Sequence, residues 1–222
     1  MIKAVIFDFD GTLSNRQANV YYLFKDYFRP FFKDMDEMEY EAVIQDLMTD
    51  DCNGTIHVKY RLAPFINKYK EYFKEEDAEP FVEYLYEYIW KYTVLKPETL
   101  DVLKQLKGKY KLAILSNGQS KSQHDKIDHC NMDEYFDEIL VSGDVGINKP
   151  NKEVFELMAN KLGVECNECV FVGDVFSTDI IGAIRANMTP VWIEPNYERP
   201  SSYTGIRILK INELIDVLEK LK

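Results

Sequence analysis

Residues 2–13 read IKAVIFDFDGTL, an apolar run that breaks into two acids, a glycine and a threonine. Val5, Ile6 and Phe7 suit a strand buried on both faces, as in a parallel sheet, and Gly11 permits the sharp turn needed by a chain leaving it. Asp8 and Asp10 therefore fall at the mouth of a sheet. Carboxylates there serve metal ligation or nucleophilic attack, or they form nothing more than an acidic strand-end loop. The rest of the chain has to decide among these.

From Val94 onward, helical and strand patterns alternate. Pro97 and Glu98 open a helix through Leu106, and KLAILSNG (111–118) reads as a strand ending in Ser116, Asn117 and Gly118. The spacing then predicts a helix over 120–129, a strand over 138–143, a helix over 151–163 and a strand over 169–174. A helix over 178–186 and strands at 190–194 and 206–209 follow, with a last helix from Asn212, a good N-cap residue, to Leu221. This alternation implies an α/β fold, a doubly wound parallel sheet that binds ligands beyond the carboxyl ends of its strands.

Between residues 15 and 92 the pattern is helical throughout, with breaks near Pro30, in TDDCNGT (49–55) and over 75–80. About four helices are expected, and 19 of the chain's 30 aromatic residues lie here, enough for a separate core. The organisation expected is a core domain of residues 1–14 and 93–222 with an inserted helical domain of residues 15–92.

A length of 222 residues allows one well-buried core plus such an insertion. The formal charge of -11 argues against nucleic acid and anionic membranes as partners, since both reward Lys and Arg. No apolar run approaches the roughly 20 residues of a membrane helix, and no leader pattern opens the chain, so a cytoplasmic location is expected. Four cysteines show no disulfide pattern, and Cys166 with Cys169 lacks the two further ligands a zinc site needs. The oligomeric state, monomer or homodimer, is left open.

Four polar clusters fall at strand ends: Asp8 with Asp10, Ser116 with Asn117 and Gly118, Lys149 before Pro150, and Asp174 with Asp179. Together they hold the groups phosphoryl transfer needs, namely metal-ligating acids, a hydroxyl and backbone N–H groups for phosphate oxygens, a cation, and a nucleophile. FDFDGTL, LSNG, GINKPNKEVF and VGDVFSTDIIGA match in order the four motifs of the haloacid dehalogenase (HAD) superfamily. The chain resembles its phosphatases with a helical cap inserted after the first motif.

That resemblance implies Asp8 as nucleophile, forming an aspartyl phosphate, and Asp10 as the acid and base serving the leaving oxygen and the attacking water. It implies Mg2+ held by Asp8, the backbone carbonyl of Asp10, and Asp174, with Asp179 in support. Ser116 and Lys149 would hold the phosphoryl oxygens, helped by backbone N–H groups around Gly11 and Asn117. An acid at position 10 favours a phosphate ester over a halide, because an alkoxide leaving group needs a proton. Asn187 stands where relatives often carry glycine, and Gln119 where an apolar residue is common.

The expected activity is Mg2+-dependent hydrolysis of a small-molecule phosphate ester: a nucleotide, a sugar phosphate or phosphoglycolate. A phosphomutase of the same fold is the alternative, and a non-catalytic phosphate sensor a lesser one. The loop from Asp50 to Arg61 is expected to choose the substrate, through Asn53, His57, Lys59 or Arg61.

Overall fold

The first strand, β1 (Ala4–Phe7), is buried along its whole length, as its unbroken apolar sequence requires. In the computed structural model, which describes residues 1–51, 58–74, 77–193 and 201–221, the chain forms two compact units. One comprises Met1–Asn15 and Leu95–Lys222, the other Arg16–Val94.

The first unit is built on a six-stranded parallel sheet in the order β3-β2-β1-β4-β5-β6. Its other strands are β2 (Lys111–Ser116), β3 (Glu138–Val141), β4 (Cys169–Gly173), β5 (Thr189–Ile193) and β6 (Ile206–Ile208). The order places β1 between β2 and β4, at the point where the winding reverses and ligands bind in open α/β sheets. Side chains alternate between the sheet's two faces. Val5 and Phe7 pack with Ile114, Val170 and Val172 on one side, while Ala4 and Ile6 pack with Ala113, Leu115 and Phe171 on the other. Each side is a separate buried cluster, as a doubly wound sheet requires.

The second unit contains α1 (Arg16–Phe28), α2 (Glu37–Asp50), α3 (Val58–Lys68) and α4 (Ala78–Tyr88). Its core is strongly aromatic: Phe28 lies within 6.4 Å, ring centre to ring centre, of Phe24, Phe31, Phe65, Phe73 and Phe81. The break at Pro30 is a short 3-10 turn, Arg29–Phe32, with the proline near its start. Pro80 falls within the first turn of α4, where its missing N–H has no helical partner to lose.

The remaining helices flank the sheet: α5 (Thr99–Leu106), α6 (Ser120–His129), the single turn α7 (Ser142–Val145), α8 (Lys152–Leu162), α9 (Ile181–Arg185) and α10 (Leu214–Lys220). Three starts differ from the sequence pattern. Glu98 takes a left-handed backbone, φ 63°, so α5 begins after it. The helix expected from Thr178 opens as a π turn over Phe176–Ile180. Asn212 does not cap α10, because Ile211–Glu213 forms a 3-10 turn whose Glu213 carboxylate accepts the Lys210 N–H at 3.1 Å.

Candidate active site

Parallel strands deliver their carboxyl ends to one edge of the sheet, and the motif acids follow directly. Asp8 succeeds β1, Asp174 succeeds β4, and Ser116 closes β2. Lys149, joined to Pro150 by a cis peptide, reaches the same edge beyond β3 and α7. Its ammonium lies 2.7 Å from Asp8 Oδ1 and 2.9 Å from Asp179 Oδ1, and all three side chains are buried. Asp179 also accepts the Val175 N–H at 2.9 Å, which ties it to the turn that carries it.

Carboxylate oxygens of Asp8, Asp174 and Asp179 converge within 4.8 Å of one another, the one such acid cluster among the described residues. Burial raises Asp8 to about 7; Lys149 opposes the shift, and Asp179 adds to it. Burial raises Asp174 to about 8, with Asp8 and Asp179 adding to it. For Lys149, burial works against the ammonium, but Asp179 and Asp8 outweigh it and the net shift is upward. Three acids facing one close ammonium in a poorly solvated place do not all ionise readily without a further cation, and an all-oxygen donor set of this kind fits a hard divalent one.

Gly11 has a different part from the one its motif suggests. Its N–H donates to Ser14 O at 3.2 Å, which occupies the donor expected to face a phosphate. Its backbone is left-handed, φ 88°, and a Cβ there would lie 2.4 Å from Asp174 Oδ2. The glycine therefore makes room for the acid. Thr12 donates its hydroxyl to the same acid at 3.5 Å, and Trp192 Nε1 donates to its backbone oxygen at 2.9 Å.

Asn117 likewise acts through its side chain as a strut. Its Nδ2 donates to Lys149 O at 3.0 Å, and its Oδ1 accepts the Lys149 N–H at 2.9 Å. This two-point clasp fixes the backbone from which the Lys149 ammonium extends. Ser116 is buried and its Oγ accepts from Gln123 Nε2 at 2.7 Å, so its own hydrogen is left for a further acceptor.

The Asp10 carboxylate lies among a separate set of donors: Ser14 Oγ at 3.3 Å, Gln123 Nε2 at 3.0 Å, and the Lys126 ammonium. The sequence reading missed Gln123, Lys126 and Lys96. The Lys96 ammonium contacts the Gly11 carbonyl; burial lowers its pKa, and Asp174 and Asp8 offset part of that shift. In α6 the buried residues Ser122, Gln123, Lys126 and Ile127 form a helical stripe that is mostly polar, which the sequence shows only once the fold says which face is inward.

In the helical unit, Arg61 is partly buried and ion-paired with Asp51, whose carboxylate also takes Arg16 at 2.5 Å. Burial and the neighbouring Arg16 lower the Arg61 pKa to about 10. Lys59 lies on α3. Asn53 and His57 fall outside the described residues.

The fold and site define a doubly wound α/β protein with a carboxylate-centred, cation-compatible site at its strand ends. The chain belongs to the haloacid dehalogenase-like hydrolase family, whose model matches residues 5–193. It is 38% identical over 115 residues to the human N-acylneuraminate-9-phosphatase, a match covering 49% of this chain and 46% of that protein. It is 28% identical over 203 residues to the pyrimidine 5'-nucleotidase YjjG of Escherichia coli, covering 88% of each. The chain spans about half the length of the mammalian N-acylneuraminate-9-phosphatases it matches. Among solved structures, the magnesium-bound HAD-hydrolase YfnB of Bacillus subtilis superposes with a TM-score of 0.74 at 23% identity, covering 98% of both chains. No helix among the described residues is long and apolar enough to cross a membrane.

Proposed function

We propose that the chain is a Mg2+-dependent phosphoric monoester hydrolase acting on a small phosphorylated metabolite, with Asp8 as its nucleophile. The observation that carries this reading is the convergence of Asp8, Asp174 and Asp179 around the Lys149 ammonium at the sheet's carboxyl edge. Asp8, Asp174 and the Asp10 backbone carbonyl would hold the ion, with Asp179 beside them. When bound, Mg2+ supplies the positive charge that keeps Asp8 ionised and offsets the charge of the phosphoryl group.

The protein's own groups divide the remaining work. An Asp8 oxygen forms a bond to phosphorus as the bond from phosphorus to the leaving oxygen breaks, and Asp10 gives that oxygen a proton. The Ser116 hydroxyl and the Lys149 ammonium hold phosphoryl oxygens, with Asn117 fixing the Lys149 backbone. Water then attacks the aspartyl phosphate, Asp10 takes its proton, and the bond to Asp8 breaks to release phosphate. The names of the human and Escherichia coli relatives above point to two substrate classes, N-acylneuraminate 9-phosphate and pyrimidine 5'-nucleotides. Choice between them belongs to the helical insertion, with Asn53, His57 and Lys59 as candidate contacts. Arg61 is a weaker candidate because Asp51 already engages it.

The test is phosphate release from 4-nitrophenyl phosphate and from both substrate classes, with and without Mg2+, for the wild type and Asp8→Asn. Loss of phosphate release in the variant and dependence on the metal are expected. Equal rates for the two proteins would refute the assignment of the nucleophile.

A further inference from the structure

Lysine is almost never buried without a partner, and the buried Lys126 finds its partner beside the active site. Its side chain is 8% exposed, and its ammonium is ion-paired with Asp10 Oδ2. The same carboxylate oxygen accepts from Gln123 Nε2 at 3.0 Å, and that nitrogen also lies 2.7 Å from Ser116 Oγ and 2.9 Å from Asn117 O. Every neighbour of Nε2 is an oxygen, so the orientation of the amide is dictated by its surroundings. Gln123 Oε1, buried without a partner, is the cost of that choice.

Three further features keep this arrangement in place. Gly118 carries no Cβ, and one built there would fall 2.7 Å from Gln123 Cγ. The glycine of the second motif thus opens the path by which Gln123 reaches Asp10 and Ser116. Lys126 also lies over the Phe9 ring, 5.6 Å from its centre, which gives the ammonium a second favourable contact. Ser14 holds the opposite carboxylate oxygen at 3.3 Å.

We propose that Gln123 and Lys126 are positioning residues that aim the Asp10 carboxyl at the leaving oxygen of the substrate, with Gln123 keeping it in register with the phosphoryl-binding Ser116. The inference rests on the reading of Asp10 as proton donor given above. In this reading neither side chain bonds to phosphorus or to the leaving oxygen; both act through Asp10. Both hold Asp10 Oδ2, from a helix that otherwise contributes nothing to the chemistry.

Misaiming a proton donor harms only those substrates whose leaving oxygen needs the proton. The experiment compares kcat/KM, which reports the first step, for 4-nitrophenyl phosphate, whose leaving group departs without protonation, and for phenyl and alkyl phosphates, whose leaving groups need it. Asp10→Asn, Lys126→Met, Lys126→Arg and Gln123→Met are measured beside the wild type in saturating Mg2+. General acid catalysis contributes roughly 10²- to 10⁴-fold, so Lys126→Met should lower kcat/KM for phenyl phosphate by about 10- to 100-fold. The loss on 4-nitrophenyl phosphate should stay within about 3-fold, and Lys126→Arg should recover most of the difference. Gln123→Met should steepen the dependence on the leaving group in the same direction. Any loss it causes through Ser116 would fall on all substrates alike.

If Asp10→Asn is steep while Lys126→Met and Gln123→Met lower all substrates equally, or not at all, the positioning role is overturned and Asp10 keeps its own. If Asp10→Asn is itself flat, the reading of Asp10 as the acid fails. Near-ultraviolet circular dichroism identifies a variant that does not fold, and the other of the two then decides.

Discussion

Asp174→Asn should stabilise the protein when no metal is present, although it deletes an acid of the proposed site. Asp8 sits near 7 and Asp174 near 8, against 3.8 for an unperturbed carboxyl. In the unfolded chain both ionise near pH 4, whereas in the metal-free folded chain both keep their protons to neutrality. Over that interval the folded state binds more protons, so the unfolding free energy falls as pH rises. The contribution of these groups is fully present below about pH 4 and is lost as pH rises through 7 and 8. At 1.36 kcal/mol per pH unit, Asp8 alone accounts for roughly 4 kcal/mol. Asp174 adds less than its own value implies, because the repulsion between the two acids raises both and Asp174 is partly solvated.

Replacing Asp174 by its neutral isostere removes one repelling charge from beside Asp8. Metal-free stability at pH 8 should rise by about 1–3 kcal/mol, or about 3–10 °C in Tm for a chain of this size. At pH 5, where both acids are already protonated, the variant and the wild type should differ little. Added Mg2+ should raise the wild-type Tm at pH 8 and leave that of the variant nearly unchanged. The assay is calorimetry of chelator-treated protein at the two pH values, with and without Mg2+; the difference between the proteins cancels groups that titrate in both. A variant less stable than the wild type by the same amount at pH 5 and pH 8 would refute the reasoning.

Gly11→Ala should weaken Mg2+ binding by at least about tenfold, since the new methyl would meet the Asp174 carboxylate and φ is 88°; isothermal titration calorimetry reads the affinity. Asn117→Ala removes both bonds to the Lys149 backbone and should cost about 1–3 kcal/mol in urea unfolding, with a larger fall in kcat than in substrate affinity. Phe28→Ala empties the centre of the helical unit's aromatic cluster and should cost about 3–5 kcal/mol. Its unfolding should appear first as a loss of aromatic circular dichroism.

What the sequence made legible follows the physics of each part. Strands buried on both faces must be apolar throughout, so AVIF, LAIL and CVFV declare themselves, and the sheet follows from their alternation with helices. Asp8, Lys149, Asp174 and Asp179 were legible because each directly follows such a strand or stands in an ordered motif. Gly11 and Asn117 were legible as motif members but not in the work they do. A glycine that yields space to Asp174, and an amide that clasps the Lys149 backbone, depend on approaches across 163 and 32 residues, which no local pattern encodes.

The same limit explains Gln123 and Lys126. Local periodicity places them on α6, but their use is set by where β1 and β2 leave Asp10 and Ser116. The fold supplies what periodicity lacks: α6 turns Ser122, Gln123 and Lys126 inward beside Ile127, a face with no apolar reason to be buried. A polar buried stripe on an otherwise well-packed sheet must be matched by polar groups elsewhere in the fold, because unpaired ones cost several kcal/mol. Lys126 meets that demand with the Asp10 carboxylate, so the pairing proposed to position Asp10 is also what permits α6 to pack.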